Sequence, residues 1–179
     1  MPREVTVEGD WSNSAFFIAM GIPVTGLDKN SLQGDKICTE YFKALDEGCP
    51  ELDITDCPDL GPVLFAYASM RNGARFTGTE RLRIKESDRS EAMKDELRKF
   101  GVEVRIGANA VFIGNGAEEP TAPLDAHNDH RIAMALSVLC AKTGGTIRGA
   151  EAVKKSFPDY FEVLKSAGIR MDVEDEMDI

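Results

Sequence analysis

The feature that most constrains the fold is an internal repetition. Three segments can be written under one another: TGLDKNSLQGDKICTEYFKALDEG from Thr25, TGTERLRIKESDRSEAMKDELRKFG from Thr77 and RGAEAVKKSFPDYFEVLKSAG from Arg148. Each is a strand end, a glycine, a polar loop, an aspartate and a helix closed by glycine. The glycine-to-aspartate interval barely changes, running from Gly26 to Asp35, Gly78 to Asp88 and Gly149 to Asp159. Ahead of each segment lies another helix, opened by GDWSNS, CPDLG or HNDHRI, with Asp10, Asp59 and Asp129 at or near its start. Units of this size cannot bury an apolar face alone, so the three must share one core.

The two helix sets differ in kind. The first of each pair, SAFFIAMG, PVLFAYASMRNG and RIAMALSVLCAKTGG, is apolar nearly all round, which suits a helix buried on every side. Such helices are expected over 12–20, 60–71 and 129–142. The second set is amphipathic, with Ile37, Tyr41 and Leu45 on one face of the first and Met93, Leu97 and Phe100 on one face of the second. Three buried helices at the centre, with sheets and amphipathic helices around them, satisfy both patterns. That arrangement turns several helix N-termini the same way, and their unpaired N–H groups favour anions.

Composition narrows what could bind there. With 179 residues, 42% of them hydrophobic, the chain can bury a core of its own and reads as one domain. A net charge of -10 and 7% aromatic residues argue against a general nucleic-acid binder, so any anionic ligand must be held by a local cluster. The four cysteines, Cys38, Cys49, Cys57 and Cys140, lack metal-ligand spacing and read as reduced thiols. No apolar run is long enough for a membrane span, and Met1 to Asp10 carries no signal-peptide pattern, so a cytoplasmic location is expected. The acidic end MDVEDEMDI reads as solvated.

The local cluster is visible in the loops. The second unit supplies Arg81, Arg83, Lys85, Glu86 and Arg89, and the third supplies Lys154 and Lys155. The start of the last buried helix adds His127, His130 and Arg131, the first unit Gln33, and the second buried helix Asp59. Arginine can clamp a carboxylate or phosphate through two nitrogens, and lysine is a compact phosphate partner. A carboxylate among such cations stays ionised and can accept a proton. Each feature also has a plain structural explanation. SDRSE can be only a helix start with Ser87 or Asp88 as N-cap and Glu91 in the capping-box position, Asp59 an N-cap, Lys154 and Lys155 a solvated loop, and His130 a structural histidine. Asp10 and Asp35 are read as caps. The coincidence of these residues at equivalent repeat positions favours a site.

The motifs LRIKESDR, NDHRIAMA and KKSFPDYFEVLKSAG, with VEGDWSNSAFF and NSLQGD ahead of them, closely resemble the C-terminal half of the 5-enolpyruvylshikimate-3-phosphate synthases. The resemblance implies an α/β (α+β) fold, an inside-out barrel domain of three repeated β-α-β-α-β-β units with buried helices. Those units are expected at roughly 8–57, 58–126 and 127–179 of a single domain. It also implies transfer of an enolpyruvyl group from phosphoenolpyruvate to the 5-hydroxyl of shikimate 3-phosphate, with no metal and no cofactor. The implied partners are those two small molecules and the family's other domain, with no nucleic acid and no membrane. By position, Asp59 matches the aspartate that contacts the shikimate hydroxyl, Glu86 the glutamate beside the reacting methylene and Lys85 the lysine between the substrates. Which carboxylate is acid or base at each step stays open. Arg89 and Arg131 match carboxylate-binding arginines, Lys155 a phosphate ligand and His130 a flanking histidine, while Arg81 stands where an asparagine is common. The first unit is short, lacking a hairpin like VEVRIGANAVFIGNG. Half of the implied active site therefore lies in the other domain, and the chain is expected to be inactive alone. A UDP-N-acetylglucosamine enolpyruvyl transferase-like domain and a non-catalytic anion-binding domain are the alternatives.

Overall fold

Three capping aspartates set where the helices begin. In the computed structural model, which describes residues 7–172 and 174, Asp10 accepts hydrogen bonds from the Ser12 and Asn13 amides and opens α1, Trp11–Ala19. Asp88 accepts from the Ser90 and Glu91 amides at the start of α4, Arg89–Lys99, and Asp129 accepts from the Arg131 amide at the start of α5, His130–Thr143. Each carboxylate satisfies N–H groups that the first turn leaves free and offsets the positive end of the helix dipole. The capping box at Asp88 is half-made, because the Glu91 side chain turns outward to Lys94. Between these lie α2, Cys38–Glu47, and α3, Gly61–Ser69, with α6, Tyr160–Ser166, last.

Two expected caps are not caps. Asp35 lies in a 3-10 turn, Gly34–Ile37, makes no capping bond, and leaves its Oδ1 buried without a partner. Gly34 lies against the Asp56 carbonyl, so this turn is wedged under the second unit and cannot swing to cap α2. Asp59 sits in the 3-10 turn before α3, which has no side-chain cap, and its carboxylate is drawn sideways by two cations.

Burial follows the apolar pattern with one phase error and one exception. Every residue of α3 is buried, and so are the first ten of α5, from His130 to Leu139. In α4 the stripe Met93, Leu97 and Phe100 faces inward as expected. In α2 the buried face is Cys38, Phe42 and Leu45, with the expected Ile37 and Tyr41 only partly buried at its flank. Ile37 ends the preceding 3-10 turn, whose tighter winding puts it out of phase with the helix that follows. The exception is α1, buried only along Trp11, Ser12, Ala15, Phe16 and Phe17. Beside it runs a groove of about 470 Å³ lined by Phe17, Ile22, Val24, Phe157 and Val163, which leaves that helix half-open.

The strands are short and form two open sheets. β1, Glu51–Asp53, β2, Ala74–Thr77, β3, Val104–Ile106, and β4, Ala110–Ile113, pair in the order β1-β2-β4-β3, with β1 and β2 parallel and the rest antiparallel. β5, Leu124–Asp125, and β6, Ile147–Arg148, pair in parallel across α5. The order β1-α3-β2-α4-β3-β4 is a complete β-α-β-α-β-β unit, opening at Glu51 and thus ahead of the boundary expected at 58. Among the described residues the first unit contributes helices but no strand, and it lacks the hairpin that β3 and β4 make in the second. Part of the acidic end, residues 173 and 175–179, lies outside the described residues. Among the described residues no helix is long and apolar enough to cross a membrane, and all four cysteines are free thiols.

The core is therefore two helices deep around α3 and α5. Leu64 and Leu136, both fully buried, should each cost about 2–5 kcal/mol when cut to alanine. Leu32→Ala, at a position 99% exposed, should change stability by less than about 0.5 kcal/mol. Urea unfolding midpoints check the contrast.

Candidate active site

The N-terminal ends of α3 and α5 and the loop into α4 converge on one buried cation. The Arg89 side chain, 1% exposed, donates from Nη1 to Asp59 Oδ1 at 2.7 Å, from Nη2 to Glu86 Oε2 at 2.7 Å, and from Nε to Asp129 Oδ2 at 2.9 Å. Asp129 is itself fully buried and also accepts from Ser87 Oγ at 3.0 Å. One guanidinium thus joins the second buried helix, the KESDR loop and the third. Burial alone would raise the Asp129 pKa, but the bonds and charge of Arg89 outweigh it and hold the carboxyl below its usual range.

Around this hub stand the other expected residues. Lys85 Nζ reaches Asp59 Oδ1 at 2.9 Å, so one carboxylate oxygen serves both Lys85 and Arg89. Burial opposes ionisation of Asp59, yet Lys85, Arg131 and Arg89 together bring its pKa to about 2. Arg131, also buried, bonds neutral groups only, Asn13 Oδ1 at 2.9 Å and Ser12 Oγ at 2.6 Å, while its Nε has no partner. It lies 5.8 Å from the centroid of the Phe16 ring. A buried guanidinium with no carboxylate in contact is suited to receive an anion. His130 Nδ1 is buried without a hydrogen bond, 3.7 Å from Glu86 Oε1, and burial followed by the charge of Arg131 keeps its pKa low, so the ring is neutral. Exposed Lys155 bonds Asn128 through both its backbone oxygen and its Oδ1, the latter at 2.6 Å.

Not every expected residue joins. Arg81 is exposed and reaches only the Thr55 carbonyl, at 3.4 Å, and Arg83 reaches the Gly107 carbonyl. Gln33 is structural, bridging the Trp11 amide and the Gly9 carbonyl. His127 points away, to Glu96. Two contributors were not anticipated as such. Asp129, read from sequence as lying at a helix start, is also the hub's buried anchor. Glu96 is a buried carboxylate, and the available signal was its place on the apolar stripe of α4, three residues after Met93 and one before Leu97.

Glu86, Asp129 and His130 bring potential metal-ligating atoms within 4.8 Å of one another. They do not fit a cation, because the Arg89 guanidinium is bonded to both carboxylates and already supplies the positive charge. The arrangement instead sets carboxylates beside Lys85 and Arg131, with Lys155 on the turn before α5.

The lowered Asp59 and Asp129 values carry a sign. Their contribution to stability is fully present above the ordinary carboxyl value of 3.8 and is lost as the pH falls toward about 2, the folded value for Asp59. Acid unfolding should therefore steepen in that window, and Asp129→Asn should flatten it while lowering stability at neutral pH. Arg89→Met should be worse, about 3–5 kcal/mol at pH 7, because it strands a fully buried carboxylate. Chemical denaturation at several pH values measures both.

The sequence matches the family EPSP synthase (3-phosphoshikimate 1-carboxyvinyltransferase) over residues 1–164. It is 38% identical to a 3-phosphoshikimate 1-carboxyvinyltransferase of Clostridium kluyveri, covering 94% of this chain and 45% of that protein. It is 35% identical to one from Methanopyrus kandleri, again over 94% and 45%. The chain thus spans less than half the length of these curated relatives. The fold is similar to that of EPSP synthase from Acinetobacter baumannii, with a TM-score of 0.80 at 24% identity over 94% of this chain and 48% of that one. The enolpyruvyl transferase NikO from Streptomyces tendae is also similar in fold, with a TM-score of 0.60. With the family match running from the first residue into α6, the chain belongs to the EPSP synthase family.

Proposed function

We propose that this chain supplies one half of an active site that transfers the enolpyruvyl group of phosphoenolpyruvate to the 5-hydroxyl of shikimate 3-phosphate. The observation that carries this reading is Arg131, buried and without a carboxylate in contact, with Lys155 bonded to Asn128 three residues before it and Lys85 bonded to ionised Asp59. The hydroxyl oxygen adds to C2 of phosphoenolpyruvate while a proton is delivered to its methylene. Loss of a proton from the resulting methyl group and departure of phosphate then regenerate the double bond. Both steps move protons beside a polyanion, which fixed cations and two carboxylates can serve without reorganising solvent. Asp59 and Glu86 are the proton-handling pair, Lys85 lies between the substrates, and Arg131 and Lys155 hold the carboxylate and phosphate of phosphoenolpyruvate. His130, neutral, flanks them as a hydrogen-bonding group. Arg81 lies at the rim, where it contacts substrate only if its side chain swings from Thr55.

Arg89 needs a different account from the one its position in the motif implies. Its donors are committed to Asp59, Glu86 and Asp129, so it binds a substrate carboxylate only by exchanging one of them. Glu86, the most exposed of the three, is the one to give way, and the exchange would free it to act on the methylene. The second half of the site is a polypeptide equivalent to the rest of the relatives' length, which closes over this face and excludes water.

Phosphate release from phosphoenolpyruvate with shikimate 3-phosphate tests the proposal. The 179 residues alone should be inactive and should turn over when the remaining half of a relative is added; brisk turnover without it would overturn the half-site. In the reconstituted enzyme Glu86→Gln should lower turnover by about 10²–10⁴ with much smaller changes in substrate affinity. Arg131→Ala should weaken phosphoenolpyruvate binding roughly tenfold to a hundredfold. Near-normal turnover of Glu86→Gln would remove that residue from the chemistry.

A further inference from the structure

The turn before α5 has an unusual backbone. His127 and Asn128 have φ of 50° and 52°, the only non-glycine residues with positive φ among the described residues. Such conformations persist where the surroundings over-determine them, and here they deliver Asp129, His130 and Arg131 into the site. The turn is held from two sides. On the site side Lys155 grips Asn128. On the far side is a carboxylate that nothing in the proposed chemistry uses. Glu96 of α4, 1% exposed, receives His127 Nε2 at 3.0 Å on Oε1 and the Asp125 amide at 2.9 Å on Oε2, with Lys99 Nζ at 2.8 Å completing its shell. The Asp125 carboxylate in turn accepts from the His127 amide at 2.6 Å.

We infer that Glu96 and His127 are positioning residues of the anion site, fixing from outside the left-handed turn whose inner face Lys155 and Arg131 use. The inference rests on the anion-site reading above and adds residues that touch no substrate. A carboxylate buried on the apolar stripe of an amphipathic helix is costly unless its bonds matter. Those of Glu96 go to both ends of the segment from Asp125 to His127, so β5 and the turn move as one body with α4. Asn128 is then presented to Lys155 with its carbonyl and side chain already aimed. The Asp129 amide bonds the Ala126 carbonyl at 2.9 Å, which carries the constraint into the hub.

Two NMR measurements on the full chain test this, amide hydrogen exchange and titration with phosphoenolpyruvate. His127→Ala should speed exchange at the Asp129 and Arg131 amides at least tenfold while leaving that of Leu136 unchanged, and should weaken phosphoenolpyruvate about fivefold. His127→Gln, whose amide nitrogen can reach Glu96, should restore most of both. The loss caused by Lys155→Ala should shrink in the His127→Ala background, because both act on one turn, whereas a merely structural role would leave the two losses additive. Unchanged exchange at Asp129, or additive losses, would overturn the inference. Failure of the unmutated chain to bind phosphoenolpyruvate would instead sink the anion-site reading, and the exchange at Asp129 would still decide whether His127 holds the turn.

Discussion

Arg89 carries a charge that cannot be moved to water without dismantling three helix starts. It is fully buried, and burial alone would make a guanidinium unfavourable by several kcal/mol. Three carboxylates from three different segments offset that cost, and the sealed Asp129 is itself tolerable only because Arg89 is there. Removing Arg89 strands Asp129 in turn. The mutual dependence fixes how far apart α3, α4 and α5 begin, and so fixes the frame in which Lys85, Arg131 and Lys155 stand. The apolar helices set which elements meet, and this polar cluster sets their register along the axis.

Stability and function draw on the same groups here but with opposite requirements. Asp129 is sealed and serves the frame. Glu86 shares the same guanidinium and is 41% exposed, so it can be released at much lower cost. Asp59 lies between, holding both Lys85 and Arg89 on one oxygen. A graded series of burial among three carboxylates on one cation lets the frame remain rigid while its outermost member changes partner. Arg131 shows the complementary case, a buried cation given only neutral partners.

Much of this was legible in the sequence, and the failures are informative. The repeat and the all-round apolar segments located α3 and α5 within a residue or two, because periodicity and caps are local properties. The equivalence of the repeats drew KESDR and NDHR toward one another, and Arg89 joins them through Asp129. What local reasoning could not supply was pairing. The four cations and two carboxylates of RLRIKESDR do not reveal that Arg89 bonds three carboxylates and Arg81 none, since that depends on which side chain the fold encloses. Asp35 and Asp59 occupy positions where caps are common, yet a wedge against Asp56 and the pull of Lys85 decide otherwise. The α2 phase failed because a 3-10 turn precedes it, and nothing in the residue types distinguishes that turn from a first helical turn.

The second unit is complete in sequence between Glu51 and Ile113, and its strand pairs and helices close short loops. The bonds of Arg131 do the reverse. It meets Asn13 and Ser12 across 118 and 119 residues. Closing longer loops sacrifices more chain entropy before any contact compensates. The Arg131 bonds tie α1 to α5 across most of the chain, so the first and last units meet only by closing the longest loop among the bonds of this cluster.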